Sequence, residues 1–168
     1  DIASDGVSDV LAKALGLSDP MPLVAIEGTD IGHGRIAALS QPTTLLDFSR
    51  HVSRCIAPTA GGVRVAGDPE QRVSTVALCA GAGDSLLSHP GVTSADVYVT
   101  SDLRHHPASE FRETSKLGKD TALIDISHWA AEWLWLDGAA QELSEALTGV
   151  SIEVSEINTD PWNFVVVQ

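Results

Sequence analysis

Cysteine is scarce in this 168-residue chain, which has two, Cys55 and Cys79. Two cysteines in a chain of this size build no disulfide framework, and their spacing is not that of a zinc ribbon. Both are expected as reduced core thiols in a cytoplasmic protein. Basic residues are scarce as well: 10 Lys and Arg stand against 23 Asp and Glu, a formal charge of −13. The arginines are scattered along the sequence. No nucleic-acid groove is expected, because phosphate binding needs a positive surface to displace counterions. The same sign of charge disfavours an anionic membrane surface. No apolar run reaches the ~18 residues of a membrane span, and no charged-then-apolar leader opens the chain. Low-complexity tracts are absent, and 43% hydrophobic with 20% charged residues is ordinary globular composition. The length suits about one domain, large enough to bury roughly 70% of the unfolded surface without a disulfide or metal staple.

What is present is an alternation of strand-like and helix-like segments. Val10, Leu11, Ala14, Leu15 and Leu17 form an amphipathic helical pattern, stopped by Gly16 and then Asp19-Pro20. Leu23–Glu27 and Gly34–Leu39 read as short strands around a turn-rich Gly28–His33 segment. Thr43-Thr44 caps a helix whose stripe is Leu45, Leu46, Phe48, Val52, Cys55 and Ile56, ended by Pro58. Val63–Ala66, Val73–Cys79, Ala95–Thr100 and Thr121–Ile126 are further strands, the second and last with the continuous apolar character of strands buried on both faces. Helices are expected over Leu86-Leu87, over Pro107–Leu117 and as one long element over Ser127–Thr148. Val150–Ile157 alternates again, and Phe164–Val167 is a last apolar run. This order predicts an α/β protein with some parallel pairing.

Three segments could carry chemistry. In Ser127-His128-Trp129-Ala130-Ala131-Glu132 the serine sits at an N-cap directly after a strand, and His128 and Glu132 lie four apart on one helix face. Ligands collect outside the carboxyl ends of α/β strands, where this turn lies. The pair either binds a metal, or binds while one member acts as base, or is a plain surface pair. Asp102-Leu103-Arg104-His105-His106-Pro107 follows another strand end. It is either a substrate or metal loop or a polar loop capping the next helix. Gly81-Ala82-Gly83-Asp84-Ser85 is placed like an anion-cradling loop but lacks the dinucleotide and P-loop patterns, so a tight turn is the competing reading. Trp129, Trp133, Leu134 and Leu136 read as core or subunit contact, and His33, His51 and His89 as structural.

Taken together these segments resemble the NIF-three-like family, also catalogued as GTP cyclohydrolase type-two homologs. The resemblance rests on Asp1–Asp9 with Leu11-Ala12 and Leu15-Gly16-Leu17, Gly34-Arg35, Val76–Gly83, Asp96–Asp102 with His106, and Asp125–His128 through Glu132. Asn158-Thr159-Asp160-Pro161-Trp162 matches the closing motif. The resemblance implies mixed β-sheets with flanking helices, two intertwined halves, a toroidal homo-hexamer, and two divalent transition-metal ions per subunit, drawn from Zn, Fe, Mn or Ni. Its ligands carry over as Asp1, His128 and Glu132. Asp102, His106, Gly81 and Gly83 fall to substrate or supporting roles. An adjacent His pair that the family places upstream has no counterpart; His105-His106 matches a different, later motif. Ser101 and Ser127 stand where the family often has Gly.

The chain begins at Asp1, without Met, and is expected to be a carboxy-terminal portion with an incomplete site. On this reading residues 1–30 are the remainder of a first, metal-site half, 31–126 a second α/β half, and 127–168 a return segment. The expected function is metal-dependent hydrolysis of a nucleotide-type or phosphoester substrate. The alternative is a metal-binding regulatory or scaffold protein without turnover.

Overall fold

A computed structural model of the chain describes residues 2–167. Helix α1 (Val7–Ala14) ends where Gly16 adopts φ +71°, a conformation that glycine reaches without Cβ strain. Strand β1 (Leu17–Ala25) starts six residues ahead of the expected Leu23 and runs through Asp19-Pro20. Asp19 has φ +46° and the pairing register shifts between Ser18 and Met21, so the expected breaker is absorbed as an irregularity. Pro20 and Pro22 are tolerated because β1 is an edge strand, where a missing N–H need not cost a ladder bond.

Strand β2 (Gly32–Thr44) pairs antiparallel with β1, and helix α2 (Leu45–Cys55) follows with Thr44 Oγ1 accepting from Asp47 N at 3.1 Å. Then come β3 (Arg64–Ala66), β4 (Arg72–Ala82), a 3-10 turn (Asp84–Leu86), α3 (Pro90–Thr93), β5 (Val97–Ser101), α4 (His105–Ser115) and β6 (Ala122–Ile126). The six strands form one sheet in the order β1-β2-β4-β5-β6-β3. The β4-β5 and β5-β6 pairs are parallel and the others antiparallel. The expected α/β class with mixed pairing is what the chain forms.

Period-two alternation divides the core between the two sheet faces. Val76, Leu78, Val97, Val99, Ile124 and Ile126 join Leu11 and Leu15 of α1 and Leu45, Phe48 and Val52 of α2 on one side. Ala77, Cys79, Tyr98 and Leu123 join Val92 of α3 and Phe111 of α4 on the other. Each fully buried large apolar side chain contributes about 1.5–3 kcal/mol. Both cysteines are free thiols, and burial pushes each above the ordinary thiol pKa.

A buried ion pair fixes the N-terminal segment. Arg35, on β2, donates from Nε to Asp9 Oδ1 (3.1 Å), from Nη1 to the carbonyls of Gly32 and Gly34, and from Nη2 to Ala3 O. Ser8 Oγ accepts from Ala80 N at 3.1 Å, which sets α1 against the end of β4.

Two expectations fail after β6. The single helix predicted over Ser127–Thr148 is two, α5 (His128–Trp133) and α6 (Leu136–Ala146). The tight bond from Trp135 N to Glu132 O closes α5. α5 is held by burial of Ala130 and Ala131, whereas α6 buries no residue. The alternating segment Val150–Ile157 forms no strand among the described residues, and neither does the apolar run Phe164–Val167. Alternation makes a strand only where a partner edge and a face to bury exist, and Val150, Ile157 and Phe164–Val167 are exposed. No helix among the described residues is long and apolar enough to cross a membrane.

Candidate functional site

The parallel neighbours β5 and β6 end level with each other, Ser101 opposite Ile126. Their next residues therefore meet. Asp102, at φ +58°, leaves β5, and Ser127 caps α5 by accepting from Ala130 N at 3.2 Å. His128 Nδ1 lies 2.6 Å from Asp102 Oδ2, and His128 Nε2 lies 3.1 Å from Glu132 Oε1. The imidazole is thus held between two carboxylates, one from the neighbouring strand end and one a turn further along its own helix. All three side chains remain between 41% and 59% exposed and reachable by a ligand.

Partial burial lowers the His128 pKa, but the hydrogen bond to Asp102 and the charges of Glu132 and Asp102 outweigh it and raise the group above its ordinary value. When the ring is protonated both nitrogens donate, Nδ1 to Asp102 and Nε2 to Glu132. Loss of the Nε2 proton would leave a lone pair beside Glu132 Oε1, 3.1 Å away, with Asp102 still orienting the ring through Nδ1. A carboxylate on the far nitrogen is how metal-ligating histidines are commonly held. The 3.1 Å separation lets both donors reach one ion at the usual ~2.0–2.2 Å. The residues present therefore fit two ligands of a metal, held in place. Among the described residues no group of three His, Cys, Asp or Glu side chains converges as a metal site. Asp1 lies outside the described residues.

Gly81 forms the floor. Its φ is +78°, and a Cβ there would stand 2.9 Å from Glu132 Oε1 and 3.2 Å from His128 Nε2. Thr100 Oγ1 donates to Gly81 O at 3.0 Å and keeps the strand end in place. Gly83 precedes the 3-10 turn, and its carbonyl accepts from the buried Tyr98 hydroxyl at 3.0 Å. A Cβ on Gly83 would meet Tyr98 Oη at 2.3 Å. Both glycines thus serve close backbone approach, and Gly81 continues β4 instead of opening a loop. His106, exposed on the first turn of α4, packs edge-on against His105 with ring centroids 5.3 Å apart. Among the described residues it forms no ion pair with the Asp102–His128–Glu132 group.

A cavity of about 710 Å³ opens beside His128, lined by Asp102, Trp129, Trp162 and Arg64 among others. Asp160 and Pro161, of the Asn158–Trp162 turn, line it as well. Ser127 Oγ donates to Asp160 Oδ1 at 2.6 Å, tying that turn to the start of α5. Sequence reasoning places His128, Glu132 and Asp102 at strand ends but not in contact, because contact depends on β5 and β6 being neighbours. The parts played by Arg64, Asp160 and Trp162 carry no spacing signal at all.

The sequence model of the family described as Duf34/NIF3 (NGG1p interacting factor 3) matches residues 1–161. A Streptomyces coelicolor protein named GTP cyclohydrolase 1 type 2 homolog is 41% identical over 169 aligned residues, covering 96% of this chain and 58% of that protein. A Mycobacterium leprae protein of the same name is 49% identical over 135 residues, covering 80% of this chain and 34% of its own length. This chain therefore spans between about a third and three fifths of these curated relatives. A crystal structure of a Bacillus cereus protein related to NIF3 superposes with TM-score 0.83 at 20% identity, covering 98% of this chain and 71% of that one, and shows the shared fold.

Proposed function

Because the chain belongs to the Duf34/NIF3 family, we propose that His128 and Glu132 are part of the ligand set of a dinuclear metal centre that hydrolyses a nucleotide-type or phosphoester substrate. The observation that carries this reading is the bracketed imidazole, Nδ1 on Asp102 at 2.6 Å and Nε2 on Glu132 at 3.1 Å. When bound, two divalent ions (Zn, Fe, Mn or Ni) would supply Lewis acidity that lowers the pKa of water and screens developing charge. The chain's own residues do the rest. Asp102 holds the ring orientation, His128 and Glu132 present two donors to one point, and Gly81 leaves room for them. Trp129 and Trp162 wall the adjoining cavity, so the substrate approaches from that side.

The reading assigns Asp1 to the same ligand set and the remaining ligands to parts of the longer protein that this chain does not span. A toroidal homo-hexamer and a cytoplasmic location belong to the same proposal, on the strength of family membership. The test is turnover of a panel of nucleotides and phosphoesters by the longer protein against its His128→Ala and Glu132→Ala variants. Metal-dependent turnover lost in both variants is the expected result. Full turnover in both overturns the proposal. Metal bound with no turnover on any substrate favours a scaffold, for which the exposed Phe164–Val167 run would be the contact surface.

A further inference from the structure

Basic residues that are scattered in sequence gather in one place. A second cavity, of about 350 Å³, adjoins the first, and Arg64, Leu103 and Asp125 line both. Arg104, His105 and Arg112 complete its basic lining, so three of the chain's ten Lys and Arg face one small volume in a molecule of net charge −13. Asp125 is the one carboxylate there, and it is fully engaged. Its Oδ2 accepts from Nε and Nη2 of Arg64, and its Oδ1 accepts from Leu103 N at 2.8 Å. Arg112 is committed to Thr121 O and Asp120. Arg64 and Arg104 are not spent. Arg104 gives Nη2 to Asp84 at 2.7 Å, and among the described residues Nη1 of each arginine donates to nothing. Their side chains are 67% and 75% exposed, free to close on a ligand.

Resting on the proposed substrate class, we infer that Arg64, Arg104 and His105 form a subsite for a phosphoryl group of the substrate that does not react, held while the reacting bond lies at His128. Two features point this way. Planar guanidinium forks match phosphoryl oxygens. Arg104 also lies two residues beyond Asp102, so the subsite and the His128 group hang from the same strand end. Arg64 stands in the wall common to both cavities, where it would meet a ligand that spans them. This makes the arginines specificity-determining residues, choosing nucleotide over nucleoside.

The experiment is calorimetric titration of the metal-free chain, in EDTA at low salt, with guanosine 5′-monophosphate, guanosine and inorganic phosphate. The monophosphate should bind at least tenfold tighter than the nucleoside, with a preference that falls as salt rises. Arg104→Gln should cut that preference roughly tenfold, the value of one charge-assisted contact. It should do so without unfolding, because the side chain is exposed; Arg64→Gln is the second variant, checked by circular dichroism. Because the titration is made without metal, its outcome does not depend on the metal ligands, so failure of the metal reading and failure of this one are read separately. Equal binding of nucleotide and nucleoside, no binding of either, or an Arg104→Gln variant that keeps the full preference overturns the inference. Phosphate binding that ignores both arginine substitutions does the same.

Discussion

Asp102 Oδ2 and His128 Nδ1 lie 2.6 Å apart although 26 residues separate them in sequence. They meet because β5 and β6 are parallel neighbours and end level. An imidazole anchored through Nδ1 presents Nε2 without a search over ring rotamers. Replacing Asp102 by Ala should therefore weaken divalent-metal binding in the longer protein by about 10–100-fold, the usual cost of losing such a partner. Because Asp102 is 59% exposed, the fold should survive, so metal titration with circular dichroism as control reads the effect. Unchanged affinity would show that the carboxylate does not orient the ring.

The metal content of this chain by itself is a separate matter. His128 and Glu132 are two donors, and among the described residues no third completes a group. Elemental analysis of the purified 168-residue chain should give well under two ions per molecule. Tight binding of two ions per molecule would contradict the assignment of further ligands to other parts of the longer protein.

Gly81 makes a sharper test of the site's shape. An added methyl would be strained by φ +78° and would press on Glu132 Oε1 at 2.9 Å and His128 Nε2 at 3.2 Å. Gly81→Ala should lower stability by about 1 kcal/mol or more from the backbone alone and also displace the His128–Glu132 pair. The loss of metal affinity should exceed what the loss of melting temperature explains. Equal affinity with wild type would mean that the pair moves aside freely.

Much of this architecture is legible in the sequence, and the misses share a cause. Continuous apolar runs such as Val73–Cys79 declare buried strands, Thr44 and Ser127 declare helix starts, and the four-residue spacing of His128 and Glu132 declares a common face. Local signals cannot say which strands become neighbours. The Asp102–His128 contact, the Ser127–Asp160 tie and the gathering of Arg64 with Arg104 all depend on that order. The break after Trp133 carries no Gly or Pro to announce it. The alternation in Val150–Ile157 is a true local pattern without a partner edge to use it.

The Asp9–Arg35 pair should dominate the stability of the N-terminal segment. Arg35 is 4% exposed and Asp9 12%, and the guanidinium also holds the carbonyls of Ala3, Gly32 and Gly34. Asp9→Ala leaves a buried cation without its counter-charge, a change that costs about 3–5 kcal/mol. Denaturant unfolding should show that loss, and Lys13→Ala, on the exposed side of the same carboxylate, should cost far less. Comparable losses from the two variants would place the stabilisation in the helix surface instead of the buried pair.

Acid stability should depend on Asp96. Burial raises this carboxyl's pKa, but the backbone N–H groups of Thr75 and Ser74, each 2.8 Å from Oδ2, and the Lys119 ammonium 3.0 Å from Oδ1 together bring it below the ordinary 3.8. A group whose folded pKa is depressed binds its proton more readily in the unfolded chain. Its contribution is therefore complete above the unfolded pKa of about 3.9 and is lost as pH falls through the lower folded value. Between pH 7 and 5 the wild-type chain should show no Asp96-dependent change in unfolding free energy. As pH falls below about 3.9 the wild type should lose stability more steeply than Asp96→Asn, and the gap between the two curves should narrow. The variant starts lower at pH 7, having given up the Lys119 pair. A constant gap between the curves down to pH 2 would show that Asp96 titrates normally and that its hydrogen bonds do not favour the charged form.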